Sequence, residues 1–196
     1  MVEFGRGRRS GKGFMAYSER AGPGVLLLAA ASPASAPVLE FARAVQGDGF
    51  TVLAPDIDPG RDRGSVDEGS PGSLAAAADY LTDNWHPRLG VVGFDRAADL
   101  AARFARQRSF DAVVLYGGGE LVDLVGKVPV LGHFPAAAAG EVGSATLRGD
   151  GAGVEPELHL YEGGGSFIDP RASGFADAEV RRAHARTLDF LHYYLS

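Results

Sequence analysis

Residues 93–98 read Gly-Phe-Asp-Arg-Ala-Ala, between a short apolar strand pattern (Leu89–Gly93) and a helical one (Ala97–Gln107). A strand–turn–helix of this kind lifts its apex residue clear of the sheet, and Gly-x-Ser-x-Gly turns present a nucleophilic Ser or Cys in this way. Here the apex residue is Asp95. A carboxylate is ionised at neutral pH without an activating base. Asp95 is therefore open to three roles: a nucleophile toward carbon, a general base toward an acidic C–H or O–H if burial raises its pKa, or a cap for the helix opening at Ala97.

Other residues could join it. His133, in the strand pattern Val128–Phe134, is the imidazole expected near the site. Tyr116 opens a Tyr-Gly-Gly-Gly run and could offer its hydroxyl to a ligand, or simply pack. Arg61 and Arg63 lie in the Gly/Pro/Asp-rich stretch from Asp58 to Gly72, which reads as one long surface loop; they could meet an anion or stay solvated. His86, His159, His184 and His192 lack metal-ligand spacing as a set and read as surface or packing residues. Gly117–Gly119 lacks the G-x-G-x-x-G pattern, and Gly163–Gly165 has no Lys-Ser/Thr after it, so both read as tight loops rather than nucleotide cradles.

Composition narrows the classes. A chain of 196 residues with 45% hydrophobic and 22% charged residues suits one globular domain, spanning 1–196, with a proper core. A net charge of −6 argues against nucleic acid, which calls for a basic patch. The dense basic cluster, Arg6, Arg8, Arg9 and Lys12, is interleaved with glycine and is expected to be a solvated, partly mobile arm. With no Cys there is no thiol nucleophile, disulfide or thiolate metal site. The longest apolar run, Val25 to Ala31, is too short to span a bilayer and no signal-peptide core is seen, so a cytoplasmic location is the expectation. The abundance of Ala, Gly, Arg and Pro suggests a GC-rich bacterial genome.

These residues are positioned by alternating elements. Strands are predicted over Gly13–Ser18, Val25–Ala30, Thr51–Ala54, Leu89–Gly93, Ala112–Tyr116, Val128–Phe134 and Glu157–Tyr161. Helices are predicted over Ala36–Gln46, Ser73–Asn84, Ala97–Gln107 and Ala176–Tyr194. Several strands are continuous apolar runs, as in a parallel sheet covered on both faces.

Six stretches, in order, resemble the dienelactone hydrolase family of the α/β-hydrolase superfamily over nearly the whole chain. They are Ala44-Val-Gln-Gly-Asp-Gly-Phe-Thr-Val-Leu-Ala-Pro-Asp56, Leu89-Gly-Val-Val-Gly-Phe94, Ala112-Val-Val-Leu-Tyr-Gly-Gly118, Pro129-Val-Leu-Gly-His-Phe134, Glu157-Leu-His-Leu-Tyr-Glu-Gly163 and Arg186-Thr-Leu-Asp-Phe-Leu191. The resemblance implies an α/β-hydrolase fold, with a mostly parallel central sheet flanked by helices. It also implies a Cys or Ser nucleophile, an acid and a histidine, but this chain differs at each of their positions. The nucleophile's place is taken by Asp95 and the acid's by Ala138; the histidine is replaced by Gly165 or Ser166, or deleted. The family's His-Glu pair after the early strand maps to Ala29 and Ala30.

A triad works only as a relay, so hydrolysis by the family mechanism is not expected here. An Asp nucleophile, as in dehalogenases and epoxide hydrolases, still needs a histidine to activate the water that releases its ester. The expectation is a small-molecule binder or non-hydrolytic catalyst of the cyclisation or isomerisation type, without cofactor or metal. Asp95 and His133 are the candidate acid/base groups, with Ala30, Ala31, Arg96, Tyr116, Ala138, Ser166 and Phe167 lining the ligand. An interaction scaffold is the alternative. A hydrolase with chemistry moved to Ser32, Ser35 or Ser166 is a third.

Overall fold

A computed structural model describes residues 1–6, 9–19, 22–58, 72–118, 124, 127–140, 154–163 and 165–196. Eight strands form one sheet: β1 (Val2–Arg6), β2 (Arg9–Ala16), β3 (Gly24–Ala29), β4 (Thr51–Pro55), β5 (Leu89–Phe94), β6 (Ala112–Tyr116), β7 (Val130–Pro135) and β8 (Glu157–Tyr161). Their spatial order is β1-β2-β4-β3-β5-β6-β7-β8. β1 pairs antiparallel with β2, and β2 antiparallel with β4; all later pairs are parallel.

Continuous apolar runs become strands buried along their whole length, as in β3, β4, β5 and β6. Among the described residues, four helices cover them: α1 (Ala36–Gly47), α2 (Gly72–Asn84), α3 (Arg96–Gln107) and α4 (Asp177–Leu195). One apolar cluster joins α2 and α3 to the sheet through Leu74, Leu81, Leu100 and Phe104. The other joins α1 and α4 through Phe41, Val45, Phe190 and Leu191.

The chain leaves β3 for β4 on one side and returns to β5 on the other. The crossover direction therefore reverses between β3 and β5, the place where open α/β sheets form a crevice. The register sets Ala29 beside Phe94 and Phe94 beside Tyr116. Ala30 and Ala31, Asp95 and Gly117 thus leave neighbouring strand ends together.

Three expectations change. The N-terminal segment is a paired hairpin rather than a mobile arm. Phe4 is buried, and Lys12 Nζ meets Glu3 Oε1 at 2.9 Å in an exposed pair. Arg8 and the Arg6 and Arg9 side chains lie outside the described residues, as do Arg61, Arg63, Gly119 and Gly164. The expected strand Gly13–Ser18 is shifted, running from Arg9 to Ala16, and Val128–Phe134 becomes Val130–Pro135. Among the described residues, no helix is long and apolar enough to cross a membrane.

Helix α3 approaches β5 closely at Gly93. A Cβ there would stand 2.7 Å from Ala98 Cα, 2.7 Å from Ala101 Cβ and 2.9 Å from Ala97 O. Backbone and methyl groups of a packed helix cannot yield as a flexible side-chain end does. Gly93→Ala is expected to cost about 1–3 kcal/mol through overpacking, read as a lower urea midpoint with an unchanged m-value.

Candidate functional site

Because α3 lies in contact with β5, the chain must turn within one residue. Asp95 makes that turn at φ 52°, ψ −123°, the sole positive φ outside glycine among the described residues. Its N–H donates to Tyr116 O at 2.8 Å, and its carbonyl accepts the Ala98 N–H at 3.0 Å. Such a conformation costs on the order of 1–3 kcal/mol in a residue bearing a Cβ.

The carboxylate does not cap α3, correcting one of the three roles above: it makes no side-chain bond to that helix's first turn. It reaches across to the segment after β8, where Ser166 Oγ donates to Asp95 Oδ2 at 2.6 Å. Ser166 Oγ in turn accepts the N–H groups of Ile168 and Asp169, each at 3.1 Å. The hydroxyl's proton and two lone pairs are therefore all engaged. A carboxylate is a poor base toward an alcohol, and this alcohol is fully committed. Ser166 is a clamp on Asp95, and chemistry relocated to Ser166 as nucleophile does not fit the geometry.

Burial pushes the Asp95 carboxyl above its ordinary range, and the charge of Asp169 adds to that. The Ser166 hydroxyl and the Phe167 N–H pull the other way.

Of Gly165 and Ser166, Ser166 alone reaches the elbow. A Cβ at Gly165 would lie 2.5 Å from Ser173 O and 2.7 Å from Phe175 N, so this position has no room for a side chain. Ser166 is the residue that meets the elbow. Phe167, buried, packs its ring 5.5 Å from Tyr116 and 5.6 Å from Tyr161. Ala30 and Ala31 are exposed beyond the end of β3, and Arg96 is exposed on the first turn of α3. Ala138 ends the short 3-10 turn Ala136–Ala138 after β7 and is half-buried against the apolar cluster beneath. At the position where the resemblance implies an acid, the chain packs a methyl group.

His133 and Tyr116 are corrected outright. Both are fully buried, and their polar atoms are spent inside the core. His133 Nδ1 lies 2.8 Å from the Tyr161 hydroxyl and Nε2 3.0 Å from Thr187 Oγ1. Thr187 Oγ1 lies 2.5 Å from the Tyr116 hydroxyl, which donates to Ala183 O at 3.3 Å. Arg186 Nη1 donates to the Tyr161 hydroxyl at 2.9 Å.

Arg186, Tyr161, His133, Thr187 and Tyr116 thus form one continuous hydrogen-bonded network that uses both ring nitrogens of His133. The Tyr116 ring lies between Phe94 (4.3 Å) and His133 (4.5 Å). Sequence reading missed Thr187, Tyr161 and Arg186 as a network; the available signal was a threonine within the apolar stripe of the last helix.

The remaining histidines behave as packing or surface groups. His184 Nε2 donates to Phe167 O at 3.3 Å, and its ring packs on Phe41 at 4.8 Å. His159 pairs with Glu157 at 2.6 Å. Among the described residues, no group of three His, Cys, Asp or Glu could hold a metal ion.

Two stability effects follow. Burial lowers the pKa of His133 to about 2 and that of His184 to about 4. The unfolded chain takes up protons below about pH 6.5 that these folded imidazoles refuse. Their contribution is complete above that pH and is lost as pH falls, at about 1.4 kcal/mol per pH unit for each refused proton. Urea melts between pH 4 and 8 should show this slope, and His133→Gln should flatten it by one proton's worth. For Asp95 the sign is opposite: its raised pKa favours the protonated form, so the ionised carboxylate weighs against the fold at neutral pH. Asp95→Asn removes that charge while keeping an oxygen that can accept from Ser166. Solvent screening holds the gain to about 1 kcal/mol, so Tm at pH 7 should rise by about 2–4 °C.

No protein-family model matches this sequence, and no curated protein does. Solved structures do match. A dienelactone hydrolase from Anabaena variabilis aligns with TM-score 0.69 at 19% identity, covering 100% of this chain and 97% of that one. A dienelactone hydrolase-like promiscuous phosphotriesterase from metagenomic libraries aligns with TM-score 0.73 at 20% identity, covering 100% and 97%. An α/β serine hydrolase without lid from Xanthomonas campestris aligns with TM-score 0.69 at 15% identity, covering 99% and 94%. Strand order, elbow and whole-length alignment agree: the chain has the α/β-hydrolase fold and is similar in fold to dienelactone hydrolases from end to end.

Proposed function

We propose that this protein keeps the α/β-hydrolase framework without its hydrolytic chemistry, and binds a small organic molecule at the carboxyl ends of β3, β5 and β6. Asp95 serves as a general acid/base in a non-hydrolytic proton transfer of the isomerisation or cyclisation type. The observation that carries this reading is Asp95 itself. A half-buried carboxylate is held at φ 52° and bonded to a hydroxyl, at a place where Gly would cost less. Costly conformations persist where a site uses them. Burial also moves the carboxyl toward neutral pH, the direction that suits a general base.

Hydrolysis lacks its relay. By the resemblance, the places of the family's nucleophile and acid hold Asp95 and Ala138, and that of its histidine is Gly165 or Ser166, or is deleted; His133 and His184 are bonded to Tyr161, Thr187 and Phe167 O. A docking scaffold is the second reading. It is favoured by the cavity alongside Ser166, about 10 Å3, which has room for about one water molecule.

The test is solvent deuterium exchange at the acidic α-carbon of small enolisable lactones and ketones, followed by NMR. The wild type should accelerate exchange, and Asp95→Asn should lose about 10²–10⁴-fold of that acceleration. Aryl acetate hydrolysis should stay at the buffer rate. Ester hydrolysis above background that Asp95→Asn abolishes would overturn the proposal, and an absence of exchange with every probe would favour the scaffold.

A further inference from the structure

A second cavity, of about 240 Å3, lies between the N-terminal halves of α1 and α4 and the segment after Ser166. Its apolar walls include the rings of Phe41, Phe167 and Phe175, with Ile168 and Val180. A cavity of about 150 Å3 takes up benzene, so this one has room for a single ring and a short side chain.

The polar groups on its lining are Glu40, Asp177, Arg181 and His184. Arg181 is committed to Asp177 as an i,i+4 ion pair on α4. His184 is held neutral by burial and spends Nε2 on Phe167 O. The charges therefore sum to one negative, carried by Glu40 on the exposed side of α1. Three phenylalanines and a carboxylate on one lining suit an aromatic ring that carries a positive charge, the apolar wall packing on the ring and the acid pairing with the cation. An aryl carboxylate would meet Glu40 as a like charge.

We propose that this cavity is a binding site for a small aromatic amine, its ring among Phe41, Phe167 and Phe175 and its ammonium group toward Glu40. The site is separate from the Asp95 chemistry, although Phe167 is common to its wall and to the elbow's surroundings.

Isothermal titration with phenethylammonium tests it, with 3-phenylpropanoate and 2-phenylethanol as anionic and neutral counterparts of similar size. Phenethylammonium should bind saturably and at least tenfold more tightly than 3-phenylpropanoate. Glu40→Gln should erase most of that difference while leaving binding of 2-phenylethanol unchanged. Ala44→Trp, an exposed position on the cavity lining, should block all three without lowering Tm. Asp95→Asn should bind phenethylammonium as the wild type does, which separates this site's failure from that of the elbow proposal. No saturable binding of phenethylammonium, equal affinity for the anion, or unchanged affinity in Ala44→Trp would each overturn the site.

Discussion

The approach of α3 onto β5 governs the rest of the site. Ala97, Ala98 and Ala101 come so near Gly93 that no side chain fits between helix and strand. The chain must reverse within a single residue, and that residue takes a positive φ. The same geometry pushes the apex side chain away from the helix axis and toward the segment after β8. A carboxylate that would ordinarily cap a helix is thus delivered to Ser166 instead. Small residues on α3 and glycine on β5 in this sense place the Asp95 carboxylate, although none of them is its hydrogen-bond partner.

The segment from Ser166 to Asp169 answers this strain. Its serine hydroxyl ties together a carboxylate and two backbone N–H groups, so the elbow and the loop define each other's position. Beneath them, the stacked rings of Phe94, Tyr116 and His133 form a dry floor. The site is held from below by apolar packing and from the side by one saturated hydroxyl, with Asp95 the ionisable group between.

Much of this was legible in the sequence. The alternation of apolar runs and amphipathic stretches predicts the parallel sheet and its helices, and Gly93 through Ala98 marks the elbow before any coordinates are seen. The hairpin of β1 and β2 was hidden because its glycines and arginines resemble a solvated tail, and Phe4 alone on β1 is deeply buried. The error at His133 has a different cause. A strand buried on both faces has no alternation of polar and apolar residues, so nothing in Val130–Pro135 reveals which way the imidazole projects. The contact between Ser166 and Asp95 joins residues 71 positions apart, and the resemblance left it one residue ambiguous. The crowding of Gly165 by the backbone near Ser173 is a tertiary contact, and strand and helix patterns carry no such information.

The hydrogen-bonded network from Arg186 to Ala183 O has a consequence for how this protein is made. Arg186, Thr187 and the accepting carbonyl of Ala183 all belong to α4, whereas Tyr116, His133 and Tyr161 belong to strands made earlier. A chain emerging from the ribosome can pair His133 with Tyr161 as soon as β7 and β8 meet, but the Tyr116 hydroxyl and the second ring nitrogen of His133 wait for α4. This edge of the sheet therefore cannot shed its water until that nineteen-residue helix docks, and a product truncated before it would leave those groups unpaired.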